Sequence, residues 1–83
     1  MKVAIRYFAS VREALGAGET IEVGAGTTVA AVRDLLIDRD AAHSAALGRG
    51  RAVRSALNQV LCDESTAVGE GAEIGFFPPV TGG

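Results

Sequence analysis

The residues with the most chemical potential stand at the end of the sequence, Pro78-Pro79-Val80-Thr81-Gly82-Gly83. Two prolines fix φ at about −65°, remove two backbone donors and hold the residues before them extended. The chain therefore leaves its last ordered element as a stiff stalk. Two glycines follow, with no side chains and very wide backbone freedom. The six residues reach at most about 20 Å. A thin tip on a stiff stalk fits a narrow tunnel in another protein. Glycine there lets a partner's backbone and a nucleotide approach the terminal carboxylate, where a Cβ would obstruct both. The carboxylate itself is a poor electrophile and must be activated, typically as an acyl-adenylate, before it accepts a nucleophile. The sequence contains neither G-x-x-x-x-G-K-[ST] nor G-x-G-x-x-G. Activation is thus expected from a partner that uses ATP and Mg, with no cofactor and no metal bound by this chain. Glycine supplies 11 of the 83 residues, so Gly-Gly alone carries little weight. Gly-Gly after Pro-Pro and an aromatic strand carries far more.

Other reactive side chains offer less. Cys62 stands alone in an extended stretch with no His or Lys beside it, which suits a small buried hydrophobe better than a thioester site. His43 lies in an Ala-rich segment without a nucleophile or second ligand, and no role is assigned to it. Arg49, Arg51 and Arg54 read as a solvated loop end rather than a phosphate site.

Composition narrows the classes further. Eighty-three residues make one small domain, and a chain of this size buries roughly 60% of the surface it exposes when unfolded. Such a domain has one core and little scaffold for a deep cleft, which favours a carrier or binding module over a complete enzyme. Hydrophobic residues make up 48% and charged residues 22%, the balance of a globular chain. A net charge of −2 gives no basic surplus for nucleic acid. Arg6 interrupts any signal-like apolar start, and no apolar run approaches the roughly 18 residues of a membrane span. A cytoplasmic protein is expected.

The elements that must position the tail follow from periodicity. Lys2–Phe8 alternates as a strand with Val3, Ile5 and Tyr7 on one face. Ser10-Val11-Arg12-Glu13 matches the S-x-x-E capping box of a short helix that Gly16 ends. Glu19–Val23 reads as a second strand, with Ile21 and Val23 inward and both glutamates outward. Thr27 or Thr28 caps the main helix, Thr28 to about Asp40, which turns Val29, Val32, Leu35 and Leu36 inward and Arg33 and Asp34 outward. Residues 41–51 read as a loop with one turn of helix around Ser44–Leu47. Val53–Leu57 and Val60–Cys62 form strands joined by a turn at Asn58-Gln59. In the last strand, Glu73–Phe77, Ile74 and Phe76 point one way and Glu73, Gly75 and Phe77 the other, so Phe77 is expected to be exposed. The result is an α+β domain over residues 1–77, one main helix on a mixed sheet of four or five strands, with an extended tail over 78–83.

The ending Phe76-Phe77-Pro78-Pro79-Val80-Thr81-Gly82-Gly83 resembles the MoaD/ThiS family of sulfur carriers, within it the small subunit of molybdopterin synthase. Val3–Ala9 with Arg12-Glu13, and Leu57-Asn58-Gln59, resemble it too, whereas residues 38–52 carry little of the likeness. The resemblance implies a ubiquitin-like β-grasp fold. It implies that a MoeB-type enzyme adenylates Gly83 with ATP, that a sulfur donor protein converts it to a thiocarboxylate, and that the tail enters a MoaE-type large subunit in a heterotetramer. There the sulfur builds the dithiolene of molybdopterin, with this chain as a subunit that lacks the active site. Carried over by position, Gly83 bears the thiocarboxylate, Gly82 and Thr81 pass into the partner, and Phe77, Pro78, Pro79 and Val80 contact it. A ThiS-like, CysO-like or Urm1-like carrier for another pathway, a ubiquitin-like modifier and an inert β-grasp module remain as alternatives.

Overall fold

The computed structural model describes residues 1–79. Its centre is a parallel pair, β1 (Lys2–Tyr7) and β5 (Glu73–Phe77), in which Ile5 lies opposite Ile74 and Tyr7 opposite Phe76. β2 (Gly18–Glu22) adds antiparallel to the outside of β1, β3 (Arg54–Leu57) antiparallel to the other side of β5, and β4 (Val60–Cys62) to β3, giving the order β2-β1-β5-β3-β4. Three helices, α1 (Ala9–Leu15), α2 (Val29–Ile37) and α3 (Ala41–Leu47), complete the domain. The alternation of β1 holds, since Val3, Ile5 and Tyr7 are buried. They join Ile74 and Phe76 of β5, Val29, Val32 and Leu36 of α2, Val11 of α1 and Leu47 of α3 in one core. Two facing layers bury one side of the sheet and leave the other open, which is the architecture the periodicity predicts.

Several local expectations give way to tertiary contacts. Ser10 does not cap α1: the helix begins two residues earlier, at Ala9, with Phe8 at the cap position and no side-chain cap bond. Gly16 does end it, at φ 92°. Thr28 caps α2 by accepting from the Ala31 N–H at 3.2 Å, while the Thr27 hydroxyl donates to the Gly24 carbonyl at 2.6 Å. Segment 41–47 is a full helix of two turns rather than a loop, started by Asp40, whose carboxylate accepts from the His43 N–H at 2.8 Å. Asn58 and Gln59 form the expected turn with φ of 51° and 69°. The Asn58 carboxamide oxygen also accepts from the Glu73 N–H at 3.0 Å, fixing the start of β5.

On α2, the inward and outward assignments of Arg33 and Leu35 are reversed. Leu35 is 54% exposed, and Arg33 is only 4% exposed. Arg33 donates from Nε to the Leu47 carbonyl at 2.7 Å, from Nη2 to the Gly48 carbonyl at 2.9 Å, and from Nη1 to Glu64 at 2.6 Å. The guanidinium thereby satisfies the carbonyls at the end of α3, which no intrahelical donor reaches. Arg49 is exposed, as expected, and also paired, with Asp34 at 2.8 Å and with Glu64.

Glu19 is not turned outward. It shares the face of Ile21 and receives the Tyr7 hydroxyl at 2.8 Å and the Arg39 guanidinium, with His43 Nε2 3.2 Å away. His43 Nδ1 lies 2.7 Å from Asp40, so this buried histidine ties β2 to α3. Burial raises the Glu19 carboxyl, but hydrogen bonds from Arg39, Tyr7 and His43 outweigh it and hold it below the ordinary glutamate value. Burial, the hydrogen bond to Glu19 and its charge push the Tyr7 phenol well up.

Two outcomes follow. Arg33→Ala leaves the Leu47 carbonyl without its donor, Glu64 with Arg49 alone and the Gly48 carbonyl with the Arg51 N–H alone, and is expected to cost ~1–3 kcal/mol in urea unfolding at neutral pH. A loss under ~1 kcal/mol would contradict this role. The stabilisation from Glu19 is complete above its ordinary value of 4.5 and fades as pH falls through the depressed folded value. The stability gap between wild type and Glu19→Gln should therefore narrow below pH 4.5, and a gap that stayed constant would show that the carboxylate carries no such linkage.

Candidate functional site

The last strand is held on both sides at the centre of the sheet. β5 has a neighbour on each side, β1 in parallel and β3 antiparallel, and its core-facing Ile74 and Phe76 are fully buried. Whatever follows Phe77 thus leaves from the middle of the sheet at a fixed place, with Arg54 of β3 opposite Phe77. Pro78 and Pro79 come next and withhold two backbone donors from any further ladder.

The open face of the sheet at this point is apolar. The Phe8 N–H donates to the Phe76 carbonyl at 3.1 Å, so Phe8 extends the β1–β5 ladder. Its ring lies on Gly75: a Cβ there would stand 3.0 Å from Phe8 Cε2. Glycine is what admits the ring to the sheet surface. The Arg6 guanidinium covers the ring from 5.7 Å and is held by Glu73 at 3.8 Å. Phe8, Gly75 and Phe77, with Ala56 and Leu61 from the β3–β4 hairpin and with Pro78 and Pro79, line a groove of about 670 Å³, edged by Arg6, Gln59 and Glu73. Leu61 is 68% exposed and Phe8 40%. A rimmed apolar patch of this kind is a candidate binding surface.

The strand phasing places Phe77 correctly on the face opposite Phe76, but Phe77 is half-buried rather than exposed. It lines the groove together with Phe8. Pro78 and Pro79 are half-buried too and also line a second cleft of about 400 Å³ with Ser10, Val11, Arg51 and Val53. The tail root is thus a ridge between two depressions. Val80, Thr81, Gly82 and Gly83 lie outside the described residues. The sequence reading missed Phe8, Gly75 and Leu61. Phe8 falls out of phase with Val3, Ile5 and Tyr7, which was a usable signal. Leu61 reaches the groove only through the strand order, which no local pattern contains. Among the described residues there is no cluster of three metal-ligating side chains, and no helix is long and apolar enough to cross a membrane.

Comparison with known proteins agrees with this geometry. Residues 5–83 match the ThiS family. The chain is 38% identical over 79 residues to the molybdopterin synthase sulfur carrier subunit of Haemophilus influenzae, covering 95% of this chain and 96% of that one. Among solved structures it is similar to SAMP1 from Haloferax volcanii, at a TM-score of 0.79 and 25% identity over the whole of both chains. It is also similar to a chain of the complex of subunits 1 and 2 of molybdopterin-converting factor from Helicobacter pylori, at a TM-score of 0.71 and 26% identity over the whole of both. The fold is the ubiquitin-like β-grasp.

Phe77→Ala removes an aromatic wall of the groove but nothing from the core. It should weaken partner binding in calorimetry by well over tenfold while lowering stability by less than the ~3–5 kcal/mol of a buried phenylalanine. A stability loss in that full range with unchanged binding would contradict this placement.

Proposed function

The chain belongs to the ThiS family, and we propose that it is a sulfur carrier of molybdenum cofactor synthesis, the small subunit of a molybdopterin synthase. The observation that carries this reading is the tail root: β5, clamped at the centre of the sheet, delivers Pro78-Pro79 beside an apolar docking groove. The names and extents of the relatives support it, as does the likeness to a subunit of the Helicobacter pylori complex.

In this reading the groove docks first onto a MoeB-type adenylating enzyme. There the Gly83 carboxylate attacks the α-phosphate of ATP, pyrophosphate leaves, and an acyl-adenylate results. A sulfur donor protein delivers sulfur at the sulfide level, which attacks the acyl carbon; the bond to AMP breaks with its electron pair, and a thiocarboxylate remains. The same groove then docks onto a MoaE-type large subunit in a heterotetramer, and Thr81, Gly82 and Gly83 enter its active site. Thiocarboxylate sulfur is soft and readily ionised, so it stays bound until an electrophilic carbon is presented. The chain's part is to dock, to hold the tail straight and to deliver sulfur. These steps take place in the cytoplasm.

Intact mass tests the carrier step. The chain incubated with an adenylating partner, ATP and a sulfur donor should gain one oxygen-to-sulfur exchange, and removal of Gly83 should abolish the gain while leaving the thermal unfolding midpoint unchanged. An unchanged mass would point to an inert module, and attachment of Gly83 to other proteins would point to a modifier.

A further inference from the structure

An activated C-terminus is a hazard to the protein that bears it, because any amine within reach can take the acyl group. The ε-amine nitrogen attacks the activated carbonyl carbon, the bond to the leaving group breaks with its electron pair, the nitrogen loses a proton, and an amide closes. This chain holds eight basic residues of the Lys and Arg types, and only one of them, Lys2, is a lysine. The other seven are arginines. A guanidinium keeps the positive charge but stays protonated, with a pKa above about 12, and does not act as a nucleophile.

The placement of these groups is as one-sided as their number. Three arginines surround the tail root. Arg54 lies opposite Phe77 in the β3–β5 register. Arg6 edges the groove that Pro78 and Pro79 line, and the exposed Arg51 borders the cleft on their other side. The two amines stand at the other end of the sheet. β1 and β5 are parallel, so Lys2, at the start of β1, lies beside the residues that lead into β5: its carbonyl accepts from the Gly71 N–H at 2.8 Å. The Met1 ammonium is there too, donating to the Val23 carbonyl at 2.7 Å. At about 3.3 Å per residue, Lys2 is roughly 17 Å back along the strand from Tyr7, and Tyr7 is level with Phe76. Pro79 is three residues beyond Phe76. The four residues after Pro79 span at most about 14 Å and would have to double back along the sheet. Cys62, the remaining strong nucleophile, is partly buried and packs against the core.

We infer that the fold makes this chain an acyl donor that cannot acylate itself: arginine replaces lysine around the tail root, and both amines are held at the opposite pole. The inference rests on the acyl-carrier reading above. It concerns a property that reading does not require, since a carrier could equally rely on its partners to shield nearby lysines.

The test prepares Gly83 as a C-terminal thioester by intein cleavage, which needs no activating partner. A failure of the carrier reading shows in the mass experiment above, and a failure of this inference shows here. Wild type and two variants, Arg51→Lys and Arg54→Lys, are held at mildly alkaline pH, treated with excess thiol to clear thioesters at Cys62, and followed by intact mass and peptide mapping. Wild type should give the free acid. Each variant should give a species one water lighter than the free acid, with Gly83 joined to the introduced lysine, at least ~10-fold above wild type, because a short tether raises the local concentration to the millimolar range. Amide formation at Lys2 or Met1 in wild type to a similar extent would overturn the inference. So would lysine variants that cross-link no more than wild type.

Discussion

The constraint on which the rest of the structure depends is the two-sided clamping of β5. A strand that ends a chain is commonly an edge and frays. Here it is inserted between β1 and β3, with Phe76 sealed in the core. Two ladders and two buried side chains hold it, so thermal motion at its end cannot easily pull Phe77 or Pro78 out of position. The parallel pairing with β1 has a second effect. It puts the end of β1, and hence Phe8, beside the end of β5. The groove and the tail root are therefore consequences of one pairing.

That pairing also divides the molecule by function. The helix-covered face supplies stability, through the core and through the polar ties that Arg33 and Glu19 make to α3. The open face carries the apolar groove at the root of the tail. Gly75 lets the Phe8 ring lie close on that open face, since a Cβ there would press on the ring at 3.0 Å. The charges follow the same plan, with Arg6, Arg51 and Arg54 at the tail end of the sheet and both amines at the far end.

Much of the fold was legible in the sequence, and the failures share a cause. Strict alternation in β1 and β5 predicted their buried faces, including the opposite orientations of Phe76 and Phe77. Asn58-Gln59 and Thr28 announced a turn and a cap by chemistry that acts over a few residues. Arg33 and His43 could not be placed, because a polar side chain turns inward only when partners wait there, and those partners come from distant elements; Glu19 was set outward although strand alternation puts it on the face of Ile21. Leu35 was misplaced for the converse reason: a helical face 100° wide needs a covering element along its whole width, and none covers this part of α2. The Ala-rich helix α3 lacked the large apolar residues that make periodicity visible. At the site, Phe77 and the prolines were legible from local pattern, while Leu61 required the strand order. Gly82 and Gly83 were read from chemistry, and the roles of Val80 and Thr81 from the family resemblance.

The central claim is that sulfur held on Gly83 passes to a substrate in a second protein. The most direct measurement mixes the thiocarboxylated chain with a MoaE-type large subunit and the cyclic pterin phosphate precursor, and follows both the mass of the chain and the dithiolene product. The account predicts that the chain returns to the carboxylate form as the dithiolene appears, two chains for each product. A thiocarboxylate that persists in the presence of large subunit and precursor, with no product, would contradict it.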